Sequence, residues 1–274
     1  MTDSPVSVSS GPAPELELVD SHCHLDRLDL EALGMDLPGV LEKAGELGVS
    51  RMLCVGINRT ELPRVLALAE RYAQVYASVG VHPNEREATE VSVDELLALA
   101  DHPRVVAIGE TGLDYFRSEG DLGWQRERFR RHIEAALRTG LPLIIHTRDA
   151  AEDTLRIMAE SGAGEVGGVM HCFTGDWETA SAALDLGFYI SFSGIVTFRN
   201  ARALQAVAAQ VPDERLLVET DAPYLTPVPY RGKPNQPGYT RHVAECLAAL
   251  RHTTVEHIAA ITTRNFNRLF KIKY

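Results

Sequence analysis

Short apolar runs and longer stretches of helical periodicity alternate along almost the whole chain. The apolar runs are rich in β-branched residues, and most are nearly continuous, which is typical of parallel strands that are buried on both faces. They predict eight strands, at Leu16–His24, Arg51–Ile57, Val75–His82, Val105–Thr111, Leu141–Thr147, Gly168–Phe173, Phe188–Gly194 and Leu216–Thr220.

The intervening stretches carry the periodicity and the end signals of helices. Gly48 ends the first of them and Gly140 follows the fourth, as expected of C-cap glycines, and Pro142 blocks any extension of the fourth. Nine helices are predicted, at Leu37–Gly48, Glu61–Ala73, Ser92–Ala100, Trp124–Thr139, Ala150–Ser161, Asp176–Leu186, Asn200–Val211, Thr240–Leu250 and Val255–Phe270.

Eight strands that alternate with helices over about 250 residues predict an α/β fold of the (β/α)8, or TIM-barrel, type. The structural alternative, a doubly wound open sheet, does not need eight strands, and no G-x-G-x-x-G turn follows the first strand. We therefore expect residues 15–274 to form a single TIM-barrel domain. Residues 1–14 are rich in Ser, Pro and Gly and are expected to form a disordered tail.

Ionisable residues stand at the predicted carboxyl ends of these strands, where barrel enzymes carry out their chemistry. They are His22, His24, His82, Glu110, His146, His171, Glu219 and Asp221. Such groups are costly to bury unless they are paired or bound to a metal. His22 and His24 lie two apart on one strand, so alternation points both imidazoles to the same face. Taken singly, each histidine is more often a hydrogen-bonded surface or core residue than a metal ligand.

Taken together, four histidines and two carboxylates at the ends of five strands predict a metal centre. The predicted ligands are His22, His24, Glu110, His146, His171 and Asp221. Mixed imidazole and carboxylate ligation suits first-row ions better than Ca²⁺, and six ligands exceed the needs of one tetrahedral zinc. We therefore expect two divalent metal ions per subunit, drawn from Zn, Mn, Mg, Co, Ni and Fe. Such a pair can activate water for hydrolysis of a phosphodiester, an ester or an amide.

Composition and charge limit the binding partners and the cellular location that we expect for this protein. The net charge of -11 argues against a general nucleic-acid coat protein or a binder of anionic membranes, although metal ions can supply positive charge locally to a nucleic-acid enzyme. The four cysteines form no C-x-x-C pair, which favours a reducing, cytoplasmic location. No apolar run approaches the length of a membrane span, and the first residues lack the features of a signal peptide.

Six motifs, in order along the chain, resemble those of the TatD family of metal-dependent hydrolases. They are Val-Asp-Ser-His-Cys-His-Leu-Asp (19–26), Gly-Val-His-Pro (80–83), Gly-Glu-Thr-Gly-Leu-Asp-Tyr (109–115), His-Thr-Arg-Asp-Ala (146–150), His-Cys-Phe-Thr-Gly (171–175) and Glu-Thr-Asp-Ala-Pro-Tyr-Leu (219–225). The resemblance covers about residues 17–270, and the segment 187–200 is similar to the YcfH branch of the family.

The resemblance implies an amidohydrolase-type barrel with a two-metal centre. It implies that His22 and His24 bind the first ion and that His146 and His171 bind the second. Glu110 would bridge the two ions, and Asp221 would bind the first ion and hold the nucleophilic water. The larger amidohydrolase group often has a carboxylated lysine as the bridge, but the matching strand here ends in Glu110.

Relatives of this family are associated with metal-dependent removal of nucleotides from the 3' end of DNA. The resemblance therefore implies a deoxyribonuclease of the 3'-5' exonuclease type, with single-stranded DNA as its partner and no stable protein partner predicted. The enzymatic alternatives are an esterase that deacylates D-aminoacyl-tRNA and an amidohydrolase of small molecules. The non-enzymatic alternative is a metal-binding scaffold protein with a vestigial site, which the complete ligand set argues against.

In the nuclease hypothesis Asp221 and Glu110 are catalytic, with Asp221 accepting the proton of the attacking water. The predicted substrate-binding residues are His82, Arg148, Arg231 and Glu219. A guanidinium matches two phosphate oxygens, whereas the alternative role for both arginines is a salt bridge, such as Arg148 with Asp149. Glu219 is alternatively a hydrogen-bond partner of a metal ligand.

Aromatic residues on the loops beyond the predicted strand ends are candidates for stacking an unpaired base. They are Tyr115, Phe116 and Phe198, although packing within the core or the loops is the commoner role of such residues. The Pro-rich segment Tyr224–Tyr239 is expected to form a shaped loop over the barrel mouth.

Overall fold

The computed structural model describes residues 16–85 and 90–272. The predicted tail at 1–14 lies outside the described residues. Within them, eight parallel strands pair in sequence order, so that each strand neighbours the next. The strands are β1 (Leu18–Cys23), β2 (Val49–Cys54), β3 (Val75–Val79), β4 (Val105–Asp114), β5 (Leu143–Arg148), β6 (Gly168–Met170), β7 (Tyr189–Phe192) and β8 (Leu216–Val218).

Hydrogen bonds outside the regular ladders join the last strand to the first. The Asp221 amide donates to the His22 carbonyl oxygen at 2.9 Å, and the His24 amide donates to the Ala222 carbonyl oxygen at 2.8 Å. The Ser21 hydroxyl donates to the Val218 carbonyl oxygen at 2.9 Å. These bonds bring β8 back to β1, and the predicted (β/α)8 barrel is confirmed.

Helices connect the strands and pack around the barrel. Within the described residues they are α1 (Leu30–Leu33), α2 (Leu37–Glu46), α3 (Leu62–Arg71), α4 (Val93–Ala100), α5 (Gly123–Thr139), α6 (Ala151–Glu160), α7 (Trp177–Asp185), α8 (Arg202–Gln210), α9 (Thr240–Leu250) and α10 (Val255–Leu269). Several begin at side-chain caps, such as the Ser92 and Glu95 capping box of α4. The short helix α1 was not expected from the sequence.

The barrel interior is filled at one end and open at the other. Apolar residues from seven of the described strands form one buried cluster with Phe266 and Leu269 of α10 and with Phe270, which follows it. Residues from so many strands can meet only inside the barrel, so α10 covers one of its ends. The ionisable strand ends lie at the opposite end.

All eight strand ends differ from the prediction by one to three residues, and three of these differences bear on the site. β4 continues to Asp114 instead of ending at Thr111, because Gly112, with φ at +128°, lets the strand pass close to β5. A Cβ atom on Gly112 would lie 2.0 Å from the His146 carbonyl oxygen. β6 and β8 stop at Met170 and Val218, several residues earlier than predicted, because the chain then leaves the extended conformation.

Candidate metal centre

The barrel brings all six sequence-predicted metal ligands together at its open end. His22 and Glu110 belong to β1 and β4, and His146 belongs to β5, whereas the other three lie just beyond the ends of β1, β6 and β8. Four of the six side chains are buried, and those of His146 and Asp221 are 18% and 13% exposed. The six are His22, His24, Glu110, His146, His171 and Asp221.

Glu110 lies at the centre of this cluster. Its Oε2 atom is 3.4 Å from His22 Nε2 and 4.0 Å from His24 Nε2. Its Oε1 atom is 2.8 Å from His171 Nε2 and 3.2 Å from His146 Nδ1. Each carboxylate oxygen therefore faces a different set of imidazoles, which is the arrangement of a bridging ligand.

The spacing of the first set of donors matches that of ligands around one small cation. His22 Nε2 and His24 Nε2 are 3.3 Å apart. Asp221 Oδ1 is 3.7 Å from the first and 3.4 Å from the second. Four ligands placed tetrahedrally at roughly 2.1 Å from an ion are separated from one another by about 3.4 Å. Including Glu110 Oε2, the measured separations fall between 3.3 and 4.0 Å.

A second set of donors surrounds the other oxygen of Glu110 and includes a histidine that the sequence analysis assigned to substrate. His82 Nε2 is 3.3 Å from Glu110 Oε1. Among the described residues, three groups of potential ligands have donor atoms within 4.8 Å of one another: His22 with Glu110 and His171, His22 with His24 and Asp221, and His82 with Glu110 and His146. His82 is therefore placed as a candidate ligand, beside its predicted role in contacting the substrate.

The electrostatics of the cluster favour a cation. Burial alone would raise the pKa of Glu110, but the imidazoles of His171, His82 and His146 hold it well below its usual range. Burial lowers the pKa of His22, which favours the neutral imidazole that ligates metals. His171 is buried too, yet Glu110 and Glu219 raise its pKa well above its usual value. These carboxylates hold protons on the imidazoles that a cation would displace.

Unsatisfied polar atoms point to the same conclusion. Among the described residues, His22 Nδ1 and Glu219 Oε2 are buried without a hydrogen-bond partner, and the buried His171 Nε2 makes no hydrogen bond of regular geometry although it lies 2.8 Å from Glu110 Oε1. Buried polar atoms are normally paired, so exceptions in a cleft indicate a missing ligand or ion. Imidazole and carboxylate donors suit first-row divalent ions. The residues present therefore fit bound divalent cations.

Two further carboxylates contact His146 and His171 at the ring nitrogens that do not face Glu110. Asp114 Oδ2 is 3.1 Å from His146 Nε2 and accepts from Asn84 Nδ2 at 2.8 Å. Glu219 Oε1 is 3.3 Å from His171 Nδ1 and accepts from the Cys172 amide at 2.9 Å. Such partners orient ligating imidazoles. Glu219 is fully buried, and this placement favours the alternative role, a hydrogen bond to a ligand, over direct contact with substrate.

The sequence analysis assigned no role to Asp114, although a signal was available. Asp114 follows Glu110 by four residues, so on a continuous strand their side chains share one face. Because the prediction ended β4 at Thr111, it did not place the Asp114 side chain on the same face as Glu110. The carboxylate lies in the motif at 109–115 and lines the cleft.

A cleft of about 610 Å³ opens above the cluster, and arginines stand on its walls. Arg27, Arg117 and Arg148 line it, together with His82 and Tyr224. A guanidinium on these walls can bind an anionic group such as a phosphate. The volume is in the range of pockets that hold small ligands or cofactors.

The two arginines predicted to bind phosphate lie at different depths. Arg148 lines the cleft with its guanidinium carbon 3.8 Å from the centre of the Phe116 ring. Arg231 is exposed on the loop after β8, where its guanidinium carbon lies 4.1 Å from the centre of the Phe198 ring. Within the described part of the chain, no ion pair is formed by either arginine, including the alternative pair with Asp149.

The three aromatic residues that were predicted to stack a base differ in their exposure and in their contacts. Phe116 is 60% exposed at the mouth, whereas Phe198 is half-buried under Arg231. The Tyr115 hydroxyl donates to Asp153 at 2.6 Å, so its polar end is already engaged. Tyr224, at the start of the predicted mouth loop, is 49% exposed and lines the cleft, although it was not among the candidates.

Comparison with known proteins identifies the family. The profile of the family described as TatD related DNase matches residues 19–271. The chain belongs to the TatD family. The predicted resemblance, including the YcfH branch, is confirmed. The chain is 51% identical over 259 residues to the "Uncharacterized metal-dependent hydrolase YcfH" of Escherichia coli (strain K12), covering 93% of this chain and 96% of that protein.

Two further relatives extend the comparison. The "3'-5' ssDNA/RNA exonuclease TatD" of Salmonella typhimurium is 35% identical over 245 residues, covering 87% of this chain and 94% of that protein. The crystal structure of the TatD homologue YJJV from Escherichia coli superposes with a TM-score of 0.86 and 30% identity, covering 94% of this chain and 99% of that one. The chain is thus a TatD-family metal-dependent hydrolase. Across residues 16–85 and 90–272, no helix has the length and apolar character needed to traverse a membrane.

Proposed function

We propose that this TatD-family hydrolase is a deoxyribonuclease that removes nucleotides from the 3' end of single-stranded DNA with two divalent ions. The observation that carries the proposal is a carboxylate, Glu110, that faces two sets of imidazoles beneath a cleft lined by arginines. Phosphodiester hydrolysis requires an activated water, neutralisation of the phosphate charge and a positioned substrate. The relative from Salmonella typhimurium that carries the name of an ssDNA/RNA exonuclease supports the same substrate class.

The proposed ligands of the first ion are His22, His24 and Asp221, and those of the second are His146 and His171, with Glu110 between them and His82 as a further candidate for the second. Divalent ions bound there would lower the pKa of water and neutralise charge on the phosphate. The protein's own contribution begins with Asp221. Burial would raise its pKa, but His24 and His22 lower it, which keeps the carboxylate ionised and able to accept the proton of the attacking water.

The cleft walls position the substrate in this mechanism. Arg148 lies against the Phe116 ring and lines the cleft, where its guanidinium can bind two oxygens of a phosphate. Arg117 and Arg27 stand on the same cleft walls, and Arg27 is paired with Glu61. His82 contacts the phosphate or the leaving group when it is not ligating an ion. A cleft of about 610 Å³ has room for a terminal nucleotide rather than for a duplex.

We also propose a cytoplasmic site of action. The four cysteines are all free, and two of them, Cys23 and Cys54, are buried side by side on neighbouring strands. Reduced cysteines are usual in proteins of the reducing cytosol.

The test is a digest of end-labelled single-stranded DNA by the purified protein with Mg²⁺ or Mn²⁺. Chelator and the Asp221→Asn variant serve as parallel arms, since the variant keeps the size of the side chain but removes the charge. Stepwise shortening from the 3' end, lost with chelator and in a folded variant, is the expected result. Intact DNA with bound metal confirmed would overturn the nuclease proposal and direct the search to aminoacyl-tRNA esters and small substrates.

A further inference from the structure

The loops that surround the cleft differ sharply in charge. Two of them contain cations but no aspartate or glutamate outside the metal-centre cluster. They are the loop after β7, residues 193–201 with Arg199, and the part of the loop after β8 that follows Glu219 and Asp221, residues 222–239 with Arg231 and Lys233. Each of the other six strand-to-helix loops contains at least one carboxylate. In a chain with a net charge of -11, these two loops, here called the β7–β8 rim, form a local basic surface.

Hydrogen bonds fix the shape of the β7–β8 rim, and the rim is continuous with the cleft. The Val228 amide donates to Thr197 Oγ1 at 2.9 Å, which joins the two loops. Asn235 Nδ2 donates to the Thr220 carbonyl oxygen at 3.1 Å, and the Thr226 hydroxyl donates to the Lys233 carbonyl oxygen at 2.7 Å. These bonds fix the shape of the longer loop. Ile195, Tyr224 and Leu225 of the rim line the cleft itself.

Within residues 16–85 and 90–272, the cations of the rim form no ion pair. Among the ion pairs of the described residues, none includes Arg199, Arg231 or Lys233, whereas Arg27 of the neighbouring loop after β1 is paired with Glu61. Arg231 lies on the Phe198 ring, and Tyr224 and Val228 of the same rim are 49% and 46% exposed. Unpaired cations beside an exposed aromatic ring are the features of a surface that follows a single-stranded nucleic acid.

We propose that the β7–β8 rim is the path along which the uncleaved part of the DNA strand leaves the cleft. In this arrangement Arg199, Arg231 and Lys233 bind successive backbone phosphates, and Tyr224 stacks a base at the exit. The inference rests on the proposed nuclease function and adds to it the direction in which the strand leaves, because most of the other loops contain more carboxylates than cations. It also explains how an acidic protein holds a polyanion outside its metal centre.

The test measures binding apart from cleavage. The double variant Arg199→Gln/Lys233→Gln is compared with the wild type by fluorescence anisotropy of a labelled 12-nucleotide single strand, in chelator, over a range of salt concentrations. The matched control is Arg264→Gln/Arg268→Gln, which removes two exposed cations from α10 at the other end of the barrel. Removal of one cation that binds a phosphate lowers the salt slope by about 0.7 for a single strand.

The rim variant is expected to lose about 1.4 in salt slope and on the order of ten-fold in affinity at 0.1 M salt. The control pair should keep the wild-type slope, and the loss should shrink towards none for a dinucleotide, which does not reach the rim. Equal slopes in all three proteins, an equal loss for the dinucleotide, or no salt-dependent binding by the wild type would overturn the proposal.

A parallel digest by the wild type with Mn²⁺ separates the two proposals. Rim-dependent binding of DNA that stays intact would overturn the nuclease function and leave the rim standing as a nucleic-acid surface. Cleavage by the wild type together with unaltered binding by the rim variant would overturn the rim and leave the nuclease function standing.

Discussion

A buried histidine outside the metal centre makes the stability of the fold depend on pH. His132 of α5 is fully buried. Its Nδ1–H donates to the Arg128 carbonyl oxygen at 2.8 Å, and its Nε2 accepts from the Val81 amide at 3.0 Å. Because one ring nitrogen donates and the other accepts, the imidazole is neutral. Burial lowers the pKa of His132 to about 4.

The sign and size of the effect follow from this pKa. In the unfolded chain a histidine titrates near 6.5, so between that pH and about 4 the unfolded state binds a proton that the folded state does not. The folded state is therefore destabilised as the pH falls through this window and is unaffected above it. The loss amounts to about 2 kcal/mol at pH 5 and about 3 kcal/mol below pH 4.

The assay is urea unfolding at pH 7.5 and at pH 5, in chelator, for the wild type and His132→Gln. Glutamine offers an acceptor to the Val81 amide but does not titrate. Its loss of stability between the two pH values should be smaller than that of the wild type by about 2 kcal/mol. His102→Gln, which replaces a histidine that is paired with Glu70 near the surface, should retain the wild-type dependence. Equal pH dependence in wild type and His132→Gln would refute the reasoning.

Two further variants test how the strands position the ligands. Asp114→Asn removes the charge beside the proposed ligand His146 and should raise the metal concentration for half-maximal activity about 10- to 100-fold, with turnover recovered at high metal concentration. Gly112→Ala places a Cβ atom 2.0 Å from a carbonyl oxygen of β5 at a φ of +128°. It should cost roughly 3 kcal/mol or more, and thermal unfolding should show a fall in Tm of about 10 °C.

Each variant has a matched control. Asp213→Asn removes a carboxylate that is paired with Arg251 and His257, outside the metal centre, and should leave the metal dependence as in the wild type. An equal change of metal dependence in both variants would contradict the positioning role of Asp114. Gly120→Ala tests a glycine with φ of +82° and no atom within 4 Å, so only the conformational cost of about 1 kcal/mol is expected. If Gly112→Ala is equally mild, the close approach of β4 to β5 is not a constraint.

The sequence predicted the barrel and the convergence of the six proposed ligands because both depend on regular geometry. Buried parallel strands leave continuous apolar runs, and barrel closure brings all their carboxyl ends to one mouth. The two-residue alternation correctly predicted that His22 and His24 face one point, and their Nε2 atoms are 3.3 Å apart. The resemblance to the TatD motifs then implied a role for each proposed ligand, which the hydrophobic pattern alone did not.

The sequence analysis was less successful where the backbone departs from regular geometry. Asp221 has a φ of +54°, so the chain turns there, and Glu219 does not share its direction but lies buried behind His171. Cys172, with a φ of +42°, ends β6 early in the same way. Alternation predicts side-chain direction only while the chain stays extended. The difference between the deep Arg148 and the exposed Arg231 depends on loop shape, which local sequence does not specify.

The junction between the first and last strands has a thermodynamic meaning. His22 and His24 lie on one side of it and Asp221 on the other, close enough to share one cation, although almost the whole barrel separates them along the chain. A cation held by all three would act as a cross-link. Unlike a disulfide, the ion would be released on unfolding, so it would stabilise the closed barrel through its binding free energy, by about 4 kcal/mol at an ion concentration 1,000 times its Kd. The metal ion that we propose for catalysis would then also stabilise the closed barrel.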